Sequence, residues 1–319
     1  MADSIVIKTE GLVKEFGDGV RAVDGVSFEI ERGEIVGYLG PNGAGKTTTI
    51  KILTNLIKPT SGRALINGFD VNRHPKDALK DVGSLIGVPG VYSYLTPAEF
   101  LNYFGRVYRM PKEKIDQRIE EVLKMVDLLK WKDSKIGTFS TGMERRLAIA
   151  RSIFHDPSIL ILDEPVLGLD PEGIKEIREL IKSFQKEDVT VFLSSHLLDE
   201  VSRVCDSVIF LYGGKVIERD SVKKIDEILK QYRLIDVELL NSINEHDLNK
   251  LKDMEVIDQV QKLGENRLRL TKTDGDPVST AEILREVVEN GFKVVSYSPE
   301  RSNLEDFYVS LMKEKEGSR

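Results

Sequence analysis

Three apolar runs mark the strands expected at the centre of the fold: residues 35–39, 159–162 and 189–193. A strand that is apolar on both faces is typical of a parallel sheet with helices packed on both sides. A glycine-rich loop follows the first run, Asp163 and Glu164 follow the second, and Ser194, Ser195 and His196 follow the third. Parallel sheets carry their chemistry at the carboxyl ends of the strands, so we expect the site there.

Shorter stretches alternate between apolar and polar positions. Ile5 and Ile7, and then Val26, Phe28 and Ile30, are separated by single polar or small residues. This period of two predicts half-buried antiparallel strands near the amino terminus.

The middle of the chain changes to a helical period. Residues Thr96, Pro97, Ala98 and Glu99 form a capping box with proline at the first helical position. Two apolar stripes at helical spacing follow, and we expect both in the core: Phe100, Leu101, Phe104 and Val107, then Ile115, Ile119, Val122, Leu123, Val126 and Leu129. Residues 96–139 are therefore predicted to form a helical insertion.

Beyond residue 219 the pattern changes again. Residues 220–234 read as a polar connecting helix, and strand and helix patterns then alternate over 235–319. We predict strands at 235–240, 256–260, 268–270 and 292–297. We also predict two helices, one at 247–251 and one that begins at Ser279 and is capped at its carboxyl end by Gly291. The β-α-β-β-α-β order indicates a small ferredoxin-like α+β domain, followed by a helix from Asn303.

The loop after the first apolar run has the spacing G-x-x-x-x-G-K-[ST]. Glycines here allow positive φ, so that successive N–H groups surround one anion, and the following helix directs its positive end to the same place. Lys46 adds charge for the outer phosphates and Thr47 offers a hydroxyl to Mg²⁺. The pattern predicts binding of a nucleoside triphosphate by this set: Gly40, Pro41, Asn42, Gly43, Ala44, Gly45, Lys46, Thr47 and Thr48.

The two acids after the second run have separable roles. Adjacent strand residues point to opposite sides, so Asp163 is expected near Mg²⁺ and Glu164 where it can take a proton from water. His196 could contact a γ-phosphate or that water, or simply pack. Phe16 could stack on an adenine face, or be one more core phenylalanine.

A second helix start lies at residues 139–153, FSTGMERRLAIARSI. Thr141 and Glu144 have capping-box spacing, and Ser140 and Gly142 offer a small hydroxyl and bare backbone to a second anion. The neighbouring pair Arg145 and Arg146 reads as a solvated basic face.

Composition limits the partners. The 319 residues carry a net charge of −7, and the pI near 5.4 argues against general binding to nucleic acid. The sequence has no apolar run of eighteen residues and no signal-peptide pattern, so any membrane role is expected to be indirect. Cys205 is the only cysteine and is expected to be a buried thiol.

The ordered set GPNGAGKT, FSTGM, ILILDEP, GLD and SSH resembles the nucleotide-binding domain of ABC transporters over about residues 4–220. The resemblance implies a P-loop NTPase of the ABC ATPase type, an α/β fold with a parallel core sheet, an antiparallel β subdomain and a helical subdomain. It assigns Gly40 to Thr47 as the Walker A loop, Asp163 as the Walker B aspartate and Glu164 as the catalytic carboxylate.

The same resemblance implies roles for three further residues and a dimer that binds two ATP molecules. His196 corresponds to the switch histidine, Asp170 to the D-loop aspartate and Phe16 to the adenine-stacking aromatic. Ser140 and Gly142 lie in the signature loop, which in this family meets ATP held by a second subunit. A head-to-tail dimer would then enclose two ATP molecules, with Mg²⁺, and hydrolyse them by in-line attack of water.

Two positions depart from the family pattern. The signature commonly reads LSGGQ, whereas Thr141 and Met143 replace its first glycine and its glutamine. Gly87 stands where the Q-loop glutamine, a ligand of Mg²⁺ or water, ordinarily ends its strand. The carboxyl-terminal domain resembles the extension of ATPases that serve ABC-2-type, daunorubicin-resistance-like exporters.

Three functions remain open from the sequence. The first is the ATPase subunit of an exporter, cytoplasmic and held at the membrane through a separate multi-spanning permease. The second is an ABC ATPase acting in translation or DNA processing, and the third is a non-hydrolysing regulatory subunit. A second copy or a homologous ATPase is the expected dimer partner, and no nucleic acid is expected.

Overall fold

A computed structural model describes residues 4–17, 19–87, 90–185, 187–273 and 277–301, with residues 304, 307 and 308. Spatial contacts divide the chain into two compact units, Met1–Ser221 and Val222–Arg319. Within these described residues, none of the helices combines the length and the apolar character needed to cross a membrane.

The first unit alternates strands with helices. Its strands are β1 (Ile5–Glu15), β2 (Arg21–Glu31), β3 (Ile35–Leu39), β4 (Ser61–Ile66), β5 (Phe69–Asp70), β6 (Val82–Leu85), β7 (Ile159–Asp163), β8 (Thr190–Ser195), β9 (Ser207–Tyr212) and β10 (Lys215–Ser221). Its helices are α1 (Lys46–Leu53), α2 (Pro75–Leu79), α3 (Pro97–Val107), α4 (Lys112–Met125), α5 (Thr141–Ser152), α6 (Pro171–Gln185) and α7 (Leu198–Ser202). Two short 3₁₀ turns, Leu129–Trp131 and Ile136–Thr138, lie between α4 and α5.

The central sheet has the strand order β10-β9-β3-β8-β7-β6. β6, β7, β8, β3 and β9 run parallel, and β10 closes the edge antiparallel to β9. All residues of β3, β7 and β8 are buried, as their unbroken apolar runs predict. The carboxyl ends of these three neighbouring strands therefore lie side by side at one edge.

A second, antiparallel sheet has the order β2-β1-β4-β5. It confirms the strands predicted from the alternating positions near the amino terminus. Its inward face joins the core of the central sheet: the Phe28 ring lies 5.6 Å from that of Tyr38 and 5.5 Å from that of Phe192.

The helical insertion contains the predicted capping box. The Thr96 hydroxyl accepts from the Glu99 N–H at 3.2 Å, and the Glu99 carboxylate accepts from the Thr96 N–H at 2.8 Å. The predicted stripes are buried over most of their length, but Val107 and Leu129 are exposed and are not core residues. Each lies at the last position of its stripe, where the helix has ended or is ending.

The second unit has the predicted β-α-β-β-α-β order. Its elements are α8 (Val222–Gln231), β11 (Tyr232–Leu239), α9 (Glu245–Lys252), β12 (Gln259–Lys262), β13 (Arg267–Thr273), α10 (Pro277–Glu289) and β14 (Val294–Arg301). The antiparallel sheet order β12-β13-β11-β14 is that of a ferredoxin-like fold. Apolar residues of α9, of α10 and of the sheet form a separate core.

Several boundaries in this unit differ from the sequence prediction. The strand expected at 256–260 lies at Gln259–Lys262, and α10 begins at Pro277, two residues before Ser279. Apolar residues such as Ile257 belong to the core without being in a strand. The apolar pattern therefore predicted a strand that begins too early. Gly291 has φ +90° and follows α10 as predicted, while Asn303, the expected start of the last helix, lies outside the described residues.

Candidate functional site

The phosphate-binding loop connects β3 to α1. Gly43 and Gly45 have φ of +82° and +104°, as predicted, but Gly40 does not adopt positive φ. Glycine is required at 40 for space, because a Cβ there would lie 2.5 Å from the Leu211 carbonyl oxygen. Pro41 and Asn42 are exposed at the loop surface, Ala44 is buried and Thr48 is half-buried.

Lys46 is the first residue of α1, and its side chain turns back over the loop. Its ammonium donates to the carbonyls of Gly40 at 2.6 Å and Pro41 at 3.2 Å, and lies 3.5 Å from Oε1 of Glu164. The side chain is buried. A cation is thus held beside the helix end and the loop N–H groups, where a phosphate chain would bind.

Thr47 and Asp163 lie together, although they are 116 positions apart in the chain. The Thr47 hydroxyl donates to Oδ1 of Asp163 at 3.1 Å, and Ser194 donates to the same oxygen at 2.7 Å. A hydroxyl and a carboxylate are the oxygen ligands that Mg²⁺ prefers, so this pair fits the ion. Ser194, which our sequence analysis did not assign to the site, holds the aspartate.

Glu164 follows β7 and has φ +47°, outside the strand conformation. Strand alternation therefore does not orient its side chain, and the prediction that Asp163 and Glu164 point to opposite sides as adjacent strand residues is wrong. The turn sends the carboxylate toward Lys46 and His196, whose Nδ1 lies 2.8 Å from Oε2. Its N–H donates to the Ser194 hydroxyl at 3.0 Å, so one serine contacts both acidic residues.

Phe16 lies in a turn after β1, where the Gly19 N–H donates to its carbonyl. Its ring is 43 % exposed, and the Lys14 ammonium lies 5.2 Å from its centroid. Phe16 is thus not a core phenylalanine. An exposed aromatic face is available for stacking.

Ser140, Gly142 and Asp170 form a separate group of predicted residues. Ser140, not Thr141, caps α5, and its hydroxyl accepts from the Met143 N–H at 3.3 Å. Asp170 similarly accepts from the Gly173 N–H at 2.9 Å at the start of α6. Among the residues that the structure describes, no hydrogen bond or ion pair joins these three to Lys46, Thr47, Asp163, Glu164 or His196.

The predicted basic face at Arg145 and Arg146 does not exist. Arg145 is only 4 % exposed and donates to the main-chain carbonyls of Gly87, Glu164 and Pro165. Burial lowers the pKa of its guanidinium, and the charges of Asp163 and Glu164 oppose that shift. Arg146 is largely covered and pairs with Glu176 at 2.9 Å.

A signal for Arg145 was present in the sequence. Ala148, Ile149 and Ser152 follow it at helical spacing and are buried, so the arginine lies on the buried face of α5. For Ser194, the signal was its position at the carboxyl end of a mostly apolar strand, beside the strand that carries Asp163.

Comparison with known proteins gives one consistent result. The ABC transporter family profile matches residues 23–167. The bacitracin transport ATP-binding protein BcrA of Bacillus licheniformis is 37% identical over 318 residues, covering 97% of this chain and 98% of its own. The linearmycin resistance ATP-binding protein LnrL of Bacillus subtilis is 30% identical over 308 residues, covering 96% and 98%.

A solved dimeric ATP-binding cassette, in a post-hydrolysis state with ADP and Pi, superposes with a TM-score of 0.62 and 27% identity. The match covers 68% of this chain and 98% of the cassette. The matches to BcrA and LnrL extend over nearly the whole chain and confirm the resemblance to ATPases of ABC-2-type exporters. The chain is therefore a member of the ABC transporter ATP-binding proteins.

Proposed function

We propose that this chain binds and hydrolyses Mg²⁺-ATP to drive an exporter whose membrane-spanning subunit is a separate polypeptide. The observation that carries the proposal is the position of the Glu164 carboxylate, between the Lys46 ammonium and the His196 imidazole and next to the Thr47–Asp163 pair. The cation, the carboxylate and the oxygen ligands needed for phosphoryl transfer to water are thus in one place.

ATP would bind along the phosphate loop. The loop N–H groups and the amino terminus of α1 would hold the β- and γ-phosphates, and Lys46 would neutralise their charge. Thr47 and Asp163 would hold Mg²⁺, which supplies further positive charge against the phosphate oxygens when bound. The exposed ring of Phe16 would stack on adenine.

Glu164 would act as the general base. A water oxygen attacks the γ-phosphorus, its proton passes to the Glu164 carboxylate, and the bond to the oxygen bridging to the β-phosphorus breaks, leaving ADP and phosphate. His196 lies close enough to orient the carboxylate through Oε2. This arrangement favours hydrolysis over the non-hydrolysing regulatory role.

A second subunit would complete each site. Ser140 and Gly142 lie at the accessible start of α5 and are not joined to the phosphate loop of their own chain. A helix amino terminus attracts anions, so α5 would meet the γ-phosphate held by a partner chain in a head-to-tail dimer, with Asp170 nearby. The dimeric state of the solved cassette supports this arrangement.

The membrane subunit would dock on an exposed aromatic surface formed by the helical insertion and the segment just before it. This surface contains Tyr92, Tyr94, Tyr103 and Tyr108, all exposed, and the Tyr92 ring lies 5.9 Å from that of Tyr94. Grouped exposed aromatics are typical of protein interfaces. Through this contact the chain would lie at the cytoplasmic face of the membrane.

The test of hydrolysis is Glu164→Gln, which keeps the side-chain shape and removes the base. We expect ATP affinity within about twofold of the parent and turnover reduced by about 10²- to 10⁴-fold, the usual contribution of a general base. Glu113→Gln, an exposed glutamate on α4, is the matched control and should hydrolyse at the parent rate. Parental turnover by Glu164→Gln would show that Glu164 is not the base.

The partner is tested by co-purification of this chain from membranes with a multi-spanning membrane protein. Tyr94, which is 68 % exposed, is replaced by aspartate, and the similarly exposed Leu56 receives the same change as a control. We expect only Tyr94→Asp to lose the membrane protein while its basal ATPase rate is kept. Retention of the membrane protein by Tyr94→Asp would exclude this surface as the docking site.

A further inference from the structure

Arg145 connects three parts of the chain through main-chain carbonyls. Its Nη1 donates to the Gly87 carbonyl at 2.9 Å and its Nε to the Pro165 carbonyl at 3.1 Å, while Nη2 donates to the Glu164 carbonyl. Gly87 lies in the loop after β6, Glu164 and Pro165 lie in the turn after β7, and Arg145 itself is on the helix that Ser140 caps.

Such a contact is specific, because a buried guanidinium must have its donors satisfied. Among the described residues, Arg145 pairs with no carboxylate and instead donates to three carbonyl oxygens, so its position depends on the paths of two loops at once. The planar, forked donor set can reach the three acceptors in different directions, which a lysine ammonium on a flexible stem does not reproduce.

This contact restrains the turn that contains Glu164, whose carbonyl also accepts from the Leu167 N–H at 3.1 Å. Glu164 has the left-handed φ of +47°, a conformation that is uncommon for a residue with a side chain. Ser194 accepts from its N–H at 3.0 Å, and Arg145 donates to its carbonyl, so both of its main-chain polar groups are fixed. The direction of the carboxylate follows from this held turn.

We propose that Arg145 is a positioning residue, which holds the Glu164 turn in its hydrolysis-competent conformation and ties it to the Gly87 loop and the α5 helix. The inference rests on the proposed role of Glu164 as the base. Movement of either α5 or the Gly87 loop is then transmitted to the carboxylate through one guanidinium.

Gly87 suits this arrangement by its backbone. Its φ is +68°, and within the described part of the chain no atom would lie within 4 Å of a Cβ there, so the glycine suits the backbone conformation and is not needed for space. Its carbonyl, not a side chain, makes the contact toward the site. The glutamine expected at this position from the family pattern is thus absent, and a main-chain link to Arg145 is present instead.

The test is Arg145→Met, which has similar length and no donors, compared with Arg146→Met as the matched control. Arg146 is the next residue on α5 and pairs with Glu176 at 2.9 Å and with Asp127 at 3.8 Å. We expect Arg145→Met to lower kcat by about 10- to 100-fold, the effect of a misplaced catalytic group, with the Kd for ATP within about twofold of the parent. Arg146→Met should keep the parent kcat.

A double variant separates positioning from general damage. If Arg145 acts through Glu164, adding Arg145→Met to Glu164→Gln should leave the residual turnover unchanged, because the positioned base is already missing. An equal loss in both backgrounds would overturn the proposal, as would parental kcat in Arg145→Met. Turnover by Glu164→Gln at the parent rate would instead reject the base itself.

Two further variants cover the case in which Arg145→Met does not fold. Arg145→Lys keeps the positive charge, but its ammonium can reach fewer of the three carbonyls. Its kcat should lie between that of the parent and the value lowered by about 10- to 100-fold that is expected for Arg145→Met. Gly87→Ala leaves Arg145 intact and strains only the loop, so it should lower kcat while the Kd for ATP is kept. Parental kcat in both folded variants would overturn the proposal.

Discussion

The Nδ1 atom of His196 lies 2.8 Å from Oε2 of Glu164, while the Lys46 ammonium lies 3.5 Å from Oε1 of the same carboxylate. The two oxygens are therefore oriented by different elements, one by the residue after β8 and the other by the first residue of α1. A carboxylate held at both oxygens has a defined direction before any substrate binds, and this favours a role in proton transfer over a solvated turn.

The dimer is tested first through Ser140→Arg. We expect the isolated chain to bind ATP as the parent does, because Ser140 is not part of its own phosphate site, and hydrolysis to fall by about 10²-fold or more. The added cation opposes the helix dipole and blocks the approach of α5 to a partner's phosphate. Ser140→Asn, which keeps an N-cap, controls for the lost cap at Ser140.

Mixing Ser140→Arg with Lys46→Ala, which alone should bind ATP weakly, extends the same test. The heterodimer has one site that lacks both features and one site that lacks neither, so turnover should recover above that of either variant alone. Sedimentation with ATP reports dimer formation even where both sites must act together. Loss of ATP binding by the Ser140→Arg chain would place Ser140 in its own subunit's site.

Phe16→Ala tests adenine stacking. Base–aromatic stacking contributes about 1–3 kcal/mol, so the Kd for ATP should rise by about 5- to 160-fold. Tripolyphosphate, which lacks a base, should bind both proteins equally. Phe69→Ala provides the control, since its ring is 42 % exposed against 43 % for Phe16. A similar loss of tripolyphosphate binding would mean that Phe16 supports the loop and not the base.

His155 predicts an acid-sensitive step in stability. Its Nε2 lies 3.2 Å from the Val82 carbonyl, its ring stacks on Tyr108 at 4.3 Å, and burial lowers its pKa below the ordinary 6.5. The unfolded chain then takes up a proton more readily than the folded chain, so stability contributed by the neutral ring is lost as pH falls below about 6.5.

The measurement compares thermal unfolding of the parent and His155→Phe at pH 7.5 and 5.5. The parent should lose more of its Tm on acidification, with roughly 2–4 °C for each kcal/mol in a domain of this size. The charged neighbours of the ring remain in both proteins: Asp81, Asp156 and Arg118. Their own titration therefore contributes equally to the two changes in Tm. Equal losses in the two proteins would contradict the prediction.

The sequence predicted much of the architecture because the buried face of a helix or strand requires apolar residues at regular spacing. Unbroken apolar runs identified β3, β7 and β8, and alternation identified β1 and β2. Boundaries were less accurate where apolar residues pack outside regular elements, as at 256–260. The capping box at Thr96 was correct because a cap is a contact between residues three positions apart.

The sequence alone was enough to identify the phosphate loop, the acidic pair after β7 and the family, because short contiguous motifs are sufficient to recognise each of them. Only the tertiary structure decided that Arg145 is buried and contacts Gly87 and Glu164, 58 and 19 positions away. It also decided that Glu164 lies outside the strand, with φ +47°. Periodicity reports that a face is covered, but the partners that cover it are set by how distant segments pack.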